Sequence, residues 1–196
     1  MISILFIQLN RIFILTLSLA ILFGFQCKEK KPADNNVILP EAKKSEFIQA
    51  KIDWSYIDIP LVMKIYEIKS QIAYNLWDTQ SVKSIESSPA STEIPNSTIV
   101  VQSGRYKEFI LGMKNTTDKP IYFFAAPHNV QPPQYSLGFK FKCLCINHAF
   151  TVKPGEFWYR VVRLNIDKDF RGDSFVIKHE LIGVTEERMK EFEFKP

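Results

Sequence analysis

Between residues 98 and 184 apolar side chains recur at every second position, in short runs closed by turns, and this pattern constrains the fold more than any other feature of the chain. A period of two puts alternate side chains on opposite faces of an extended backbone, so each run reads as a half-buried strand. Runs fall at residues 98–102, 106–113 and 121–126, and the NTTDKP stretch before Ile121 forms a turn whose Pro120 stands at a strand start. KPGE, ending at Glu156, makes a second sharp turn. In residues 158–166 the even positions are Trp158, Arg160, Val162, Leu164 and Ile166, a half-buried strand with Arg160 at its edge or end. In residues 174–184, Phe175, Ile177, His179 and Leu181 share a face, which reads His179 as a hydrogen-bonded core residue ahead of a ligand. Many short strands with little helix predict an all-β chain, an antiparallel β-sandwich.

The flanks divide as follows. The apolar run at residues 12–25 has the length of a signal peptide and is short for a bilayer span, so residues 1–26 are a signal peptide or membrane anchor. Cys27 follows that run directly and precedes a polar KEKKPADNN segment, the layout of a bacterial lipoprotein whose first mature residue is a lipidated cysteine. Residues 27–59 are then a tether and irregular flank, and residues 60–184 the sandwich. Residues 61–77, rich in β-branched and aromatic side chains, carry the first strand or two. Residues 81–97, with five serines from Ser81 to Ser91 and two prolines, read as a long loop. Residues 185–196 form a tail with a short capped helix or a frayed end. The chain is thereby expected in the bacterial cell envelope, in the periplasm or on the outer face of the cytoplasmic membrane, held to the membrane through its N-terminus.

Composition removes several functions. A net charge of +4, with no Lys/Arg cluster interleaved with aromatics, gives no nucleic-acid surface. Gly-rich phosphate loops and a Ser/His/Asp set in a suggestive context are absent from the sequence, and the acidic residues are scattered with no close pair in a structured turn, so it does not read as an enzyme.

Chemistry concentrates in residues 128–158, around Cys143 and Cys145. Thiolates are soft donors, and two at i and i+2 on an extended strand project to one side, where they can grip one soft ion. A disulfide between them would be strained, because the geometry it needs has converging Cβ vectors. Two readings remain. Tyr135, Leu137, Phe139, Phe141, Cys143 and Cys145 share one parity, so the cysteines are either metal ligands or small apolar groups on a core face. His148, Met113 and His128 are the accessory donors within reach in sequence. A zinc site would need more ligands than one chain convincingly offers, which a homodimer would supply. Lys140 and Lys142 either favour the thiolate electrostatically or form a solvated face.

Asn129, Val130, Pro132, Tyr135, Phe139, Lys140, the Cys143-Leu144-Cys145 run and Pro154-Gly155-Glu156 follow one another in an order and spacing that resemble the copper-delivering cytochrome c oxidase assembly proteins of the CtaG type. The likeness extends through Asp167 to the run from Phe175 to Leu181. Leu144 stands where that family has an aromatic, and the family's further membrane-proximal cysteine has no clear counterpart. The resemblance implies an immunoglobulin-like sandwich whose Cys143 and Cys145 bind Cu(I), often with dimerisation. It also implies transfer of the ion by thiolate exchange to the copper-B centre in subunit I of a haem-copper oxidase. The competing expectation is a structural or interaction surface lipoprotein of the same fold that holds no metal.

Overall fold

The computed structural model describes residues 44–144 and 148–193. The expected signal or anchor segment, the lipidation at Cys27, the tether up to residue 43 and Cys145 lie outside the described residues.

Two six-stranded sheets make an all-β sandwich. The first contains β1 (Lys44–Ile57), β5 (Thr98–Gln102), β7 (Ile121–Ala125), β8 (Asn129–Gln131), β10 (Phe150–Val152) and β12 (Gly172–Val184). Its order is β10-β7-β12-β1-β5, with β8 pairing β12 alongside β7. The second contains β2 (Lys64–Ile68), β3 (Thr79–Val82), β4 (Ala90–Glu93), β6 (Tyr106–Lys114), β9 (Phe139–Lys142) and β11 (Phe157–Ile166). Its order is β3-β11-β6-β2-β4, and β9 pairs the second half of β11 where β3 pairs the first. A helix, α1 (Glu186–Glu193), closes the chain, with the Thr185 hydroxyl accepting from the Arg188 N–H at its start.

The strands expected at 98–102, 106–113 and 121–126 are present as β5, β6 and β7. One pairing departs from the antiparallel expectation: β1 runs parallel to β12, from Gln49 opposite Ser174 to Ile57 opposite Ile182. The sandwich also begins earlier than residue 60. Ile48, Ala50 and Ile52 are buried and alternate with exposed Gln49, Lys51 and Asp53, so a stretch read as tether and flank is a central strand of the first sheet.

The region read as a long loop, residues 81–97, contains the end of β3, all of β4 and two 3₁₀ turns. The reason lies in the second sheet. Tyr66, Ile110, Phe157, Tyr159 and Val161 form a small apolar cluster separate from the main core, against which Leu76, Val82 and Ile85 pack. Both faces of β11 are therefore covered along most of its length, and Arg160 sits buried in mid-strand instead of at an edge.

The main core lies between the sheets, with Ile48, Ile52, Ile99, Phe123 and Ile177 from the first meeting Phe109, Leu111, Val162 and Leu164 from the second. The two predicted turns are both built on specific groups. Buried Asn115 donates its side-chain N–H groups to the carbonyls of Lys119 and Val152 and accepts from the Thr117 N–H and hydroxyl. Gly155 takes a φ of 71°, a left-handed conformation in which a side chain is strained, and its N–H donates to the Asn115 carbonyl.

Candidate metal centre

The parity shared from Tyr135 to Cys145 predicts one strand, and the described part of that run, up to Leu144, differs. It is instead a 3₁₀ turn (Pro133–Leu137) followed by the four residues of β9, with Cys143 just past the strand end. Leu137 is consequently 91% exposed, whereas Phe139, Phe141 and Cys143 keep the predicted inward parity. Lys140 and Lys142 point the other way, to solvent, where the Lys142 Nζ lies 5.6 Å from the centre of the Trp77 ring. They are the solvated face of the two readings.

Cys143 comes from the second sheet's side of the sandwich, and His179 from β12 of the first. They meet in the interior, Sγ 3.0 Å from Nε2, and both are 1% exposed. His128, in the segment leading into β8, places its Nδ1 3.6 Å from the same sulfur and is half-buried. The donor atoms of all three residues lie within 4.8 Å of one another.

Each member is held by its own strand geometry. His179 stands opposite Trp54 in the parallel β1–β12 register, and the two rings stack with centroids 5.2 Å apart and planes 19° off parallel. His128 is fixed because β8 pairs residues 176–178 of β12, which brings the two imidazole centroids to 5.9 Å. Its ring also rests near Phe139 and Phe141, at 6.3 and 5.9 Å.

Cys143 is held through its backbone by Arg160, whose Nε donates to the Cys143 carbonyl at 2.9 Å while Nη1 donates to the Thr79 hydroxyl. Burial pushes the Arg160 guanidinium below its ordinary pKa, and the charges of Cys143 and Asp78 oppose that shift. The cation near the sulfur is thus a buried arginine from a neighbouring strand, not the lysines that flank the cysteine in sequence.

A thiolate and two imidazoles together are a soft-to-borderline donor set that suits copper and zinc. In a trigonal site with metal–donor bonds of about 2.0–2.3 Å, neighbouring donors stand roughly 3.5–4.0 Å apart. The observed 3.0 and 3.6 Å therefore need an opening of an ångström or less to admit an ion.

Of the donors nominated from sequence, Cys143 and His128 are brought together. His148 is exposed, edge-on to Phe150 at 5.2 Å, and stays outside the group. Met113 is a core residue on β6, 1% exposed and in register with Trp158. His179 is indeed a hydrogen-bonded core residue, and it is also the nearest nitrogen to Cys143. The available signal was its inward parity on β12, since an apolar face with one imidazole in it must give that ring a polar partner.

Residues 48–184 match the family described as Domain of unknown function (DUF8709). The match spans more than half of the chain, which belongs to that family. No curated protein matches the sequence.

Proposed function

We propose that this member of the DUF8709 family is a copper-binding protein of the bacterial cell envelope, and that its site is His128, Cys143 and His179. The convergence of one sulfur and two ring nitrogens inside the sandwich is the observation that carries this reading. The protein acts as a carrier. Cu(I) tolerates low coordination numbers, so an acceptor's donor forms a bond to the ion as one of the carrier's copper–ligand bonds breaks, and no bond within either protein is cleaved. His128 is the half-buried member and is therefore the side from which exchange starts. The resemblance around residues 128–156 makes subunit I of a haem-copper oxidase the acceptor, with the chain held at the membrane through Cys27.

The competing reading, a metal-free interaction lipoprotein, draws on the deep burial of Cys143 and His179. Competition between the reduced, anaerobic protein and a chromogenic Cu(I) chelator separates the two. The carrier takes up one Cu(I) per chain, and a Cys143→Ser change weakens uptake by at least about 100-fold, more than the loss of an outer-shell partner costs. Absence of uptake by the unmodified protein would leave the metal-free reading standing.

A further inference from the structure

We propose that the His128–Cys143–His179 site holds copper in both oxidation states and passes single electrons, so that the ion is a resident redox centre and not only cargo. This rests on the copper reading above.

The donor set is the first argument. A pair of thiolates favours Cu(I) strongly, because soft donors match the soft ion, whereas imidazole nitrogens also suit Cu(II). Two imidazoles and one thiolate in a roughly trigonal arrangement accept both states. They are also the donor combination that the chemistry of electron-transfer copper employs.

Rigidity is the second argument. A centre that changes oxidation state quickly must not have to rearrange its ligands. His179 lies in the middle of a thirteen-residue strand and is stacked on Trp54. Cys143 has its carbonyl held by a buried guanidinium. Both ligands are shut off from water at 1% exposure, so a change in the ion's charge reorients little solvent.

Access is the third. His128 alone of the three is only half-buried, and its ring centroid lies 6.3 and 5.9 Å from those of Phe139 and Phe141. An electron reaches the ion through this imidazole without the interior opening. In the reducing step Cu(II) gains one electron from a one-electron carrier protein, which is oxidised by one electron, and becomes Cu(I). The thiolate and both imidazoles stay bound, so no proton moves. The reverse step returns the electron to a one-electron acceptor.

The test uses the full-length protein loaded anaerobically with one equivalent of Cu(I), oxidised with ferricyanide and reduced again with ascorbate. The expected result is an intense visible thiolate-to-Cu(II) charge-transfer band and a Cu(II) paramagnetic resonance signal. Both appear with one oxidising equivalent, vanish on reduction and return over repeated cycles. His128→Gln, a half-buried position that leaves the fold intact, abolishes or shifts the band and slows reduction, while Cys145→Ser leaves the band in place. Release of copper or consumption of the thiol on oxidation, with Cu(I) held normally beforehand, would overturn the redox proposal and leave the carrier intact. A band that survives His128→Gln unchanged but disappears in Cys145→Ser would also overturn it, because the ligand set would then be the two cysteines. Failure to take up Cu(I) at all would remove both readings together.

Discussion

The Sγ of Cys143, just past the end of β9 in the second sheet, lies 3.0 Å from the Nε2 of His179 on β12 of the first, 36 positions away in sequence. This contact is both the seam of the core and half of the proposed metal site. Replacing His179 with alanine removes a buried ring from between the sheets and leaves a cavity, at a cost of roughly 2–5 kcal/mol for a large-to-small core change. It also removes a ligand. Urea unfolding of the apo-protein measures the first effect, and the gain in melting temperature on adding Cu(I), expected to disappear, measures the second.

His128→Ala and His148→Ala separate the two histidines that flank the cysteines. Loss of His128 weakens Cu(I) binding by about 10–100-fold or more. Loss of His148, exposed and outside the converging group, leaves affinity unchanged. Equal affinities for the two variants in chelator competition would contradict the site.

Arg160 positions the proposed site through the Cys143 carbonyl. Methionine at this position keeps much of the volume but leaves the Cys143 carbonyl and the Thr79 hydroxyl without their donor, costing about 1–3 kcal/mol for each buried group left unsatisfied. Copper affinity falls by about 10–100-fold, as for other outer-shell partners. Lysine does not rescue it, since one ammonium cannot reproduce the two directions of the guanidinium fork. The split between apo stability and Cu(I) affinity reports both roles.

Glu108 on β6 faces Arg163 on β11 in register, accepting from its Nε at 2.9 Å and from the Tyr74 hydroxyl at 2.6 Å. Burial alone would raise the carboxyl, but the hydrogen bonds from Tyr74 and Arg163 and the arginine charge hold it below its ordinary value. A depressed carboxylate contributes stability above its unfolded pKa, and that contribution disappears as pH falls through the folded value. Denaturant unfolding between neutral pH and the acid range should show the wild type losing stability below the ordinary glutamate region. Glu108→Gln, which carries no titrating carboxyl there, shows a shallower loss.

Asn115 braces the NTTDKP turn and ties it to Val152 of β10 with four side-chain hydrogen bonds, while its backbone N–H and carbonyl pair with Glu156 and Gly155 of the KPGE turn. Alanine leaves the buried carbonyls of that junction without donors and lowers stability by about 2–4 kcal/mol, summing roughly 1–3 kcal/mol for each unsatisfied group with partial relief by water. Aspartate is worse, because its carboxylate points at the Lys119 and Val152 carbonyls that the amide had been donating to. Comparison of urea midpoints among the three proteins orders them.

Much of this architecture is legible along the chain because strands announce themselves by parity. The face carrying Phe175, Ile177, His179 and Leu181 reads correctly from alternation alone, and the inward parity of Phe139, Phe141 and Cys143 likewise. The same signal runs through β1, where Ile48, Ala50, Ile52 and Trp54 alternate with polar residues, but the charged, proline-containing stretch just before it reads as a tether and masks it. Residues 81–97 read as a loop for another reason. Their serines and prolines are turn formers, yet the second sheet has an apolar outer face that needs covering, and this segment lies against it. The site was half legible. Cysteine spacing pointed to residue 143, while its partners are decided by which strands neighbour β12 and by the distance between sheets, which local periodicity does not contain. Leu137 marks the limit of the parity argument, since the 3₁₀ turn ends the alternation there and leaves it in water.

The parallel pairing of β1 with β12 joins the beginning of the sandwich to its end. Such long-range closure makes for slow folding, because most of the chain must be ordered before the central pair of the first sheet gains anything. During synthesis, β1 emerges early and waits for the last strand. His179 sits on that last strand, beside Trp54 of the first. A nascent or truncated chain therefore has its cysteine but not the His128–Cys143–His179 convergence, which arrives only with the whole domain. Under the proposed function, metal retention becomes a report on finished folding, and incomplete copies are kept from sequestering a reactive ion.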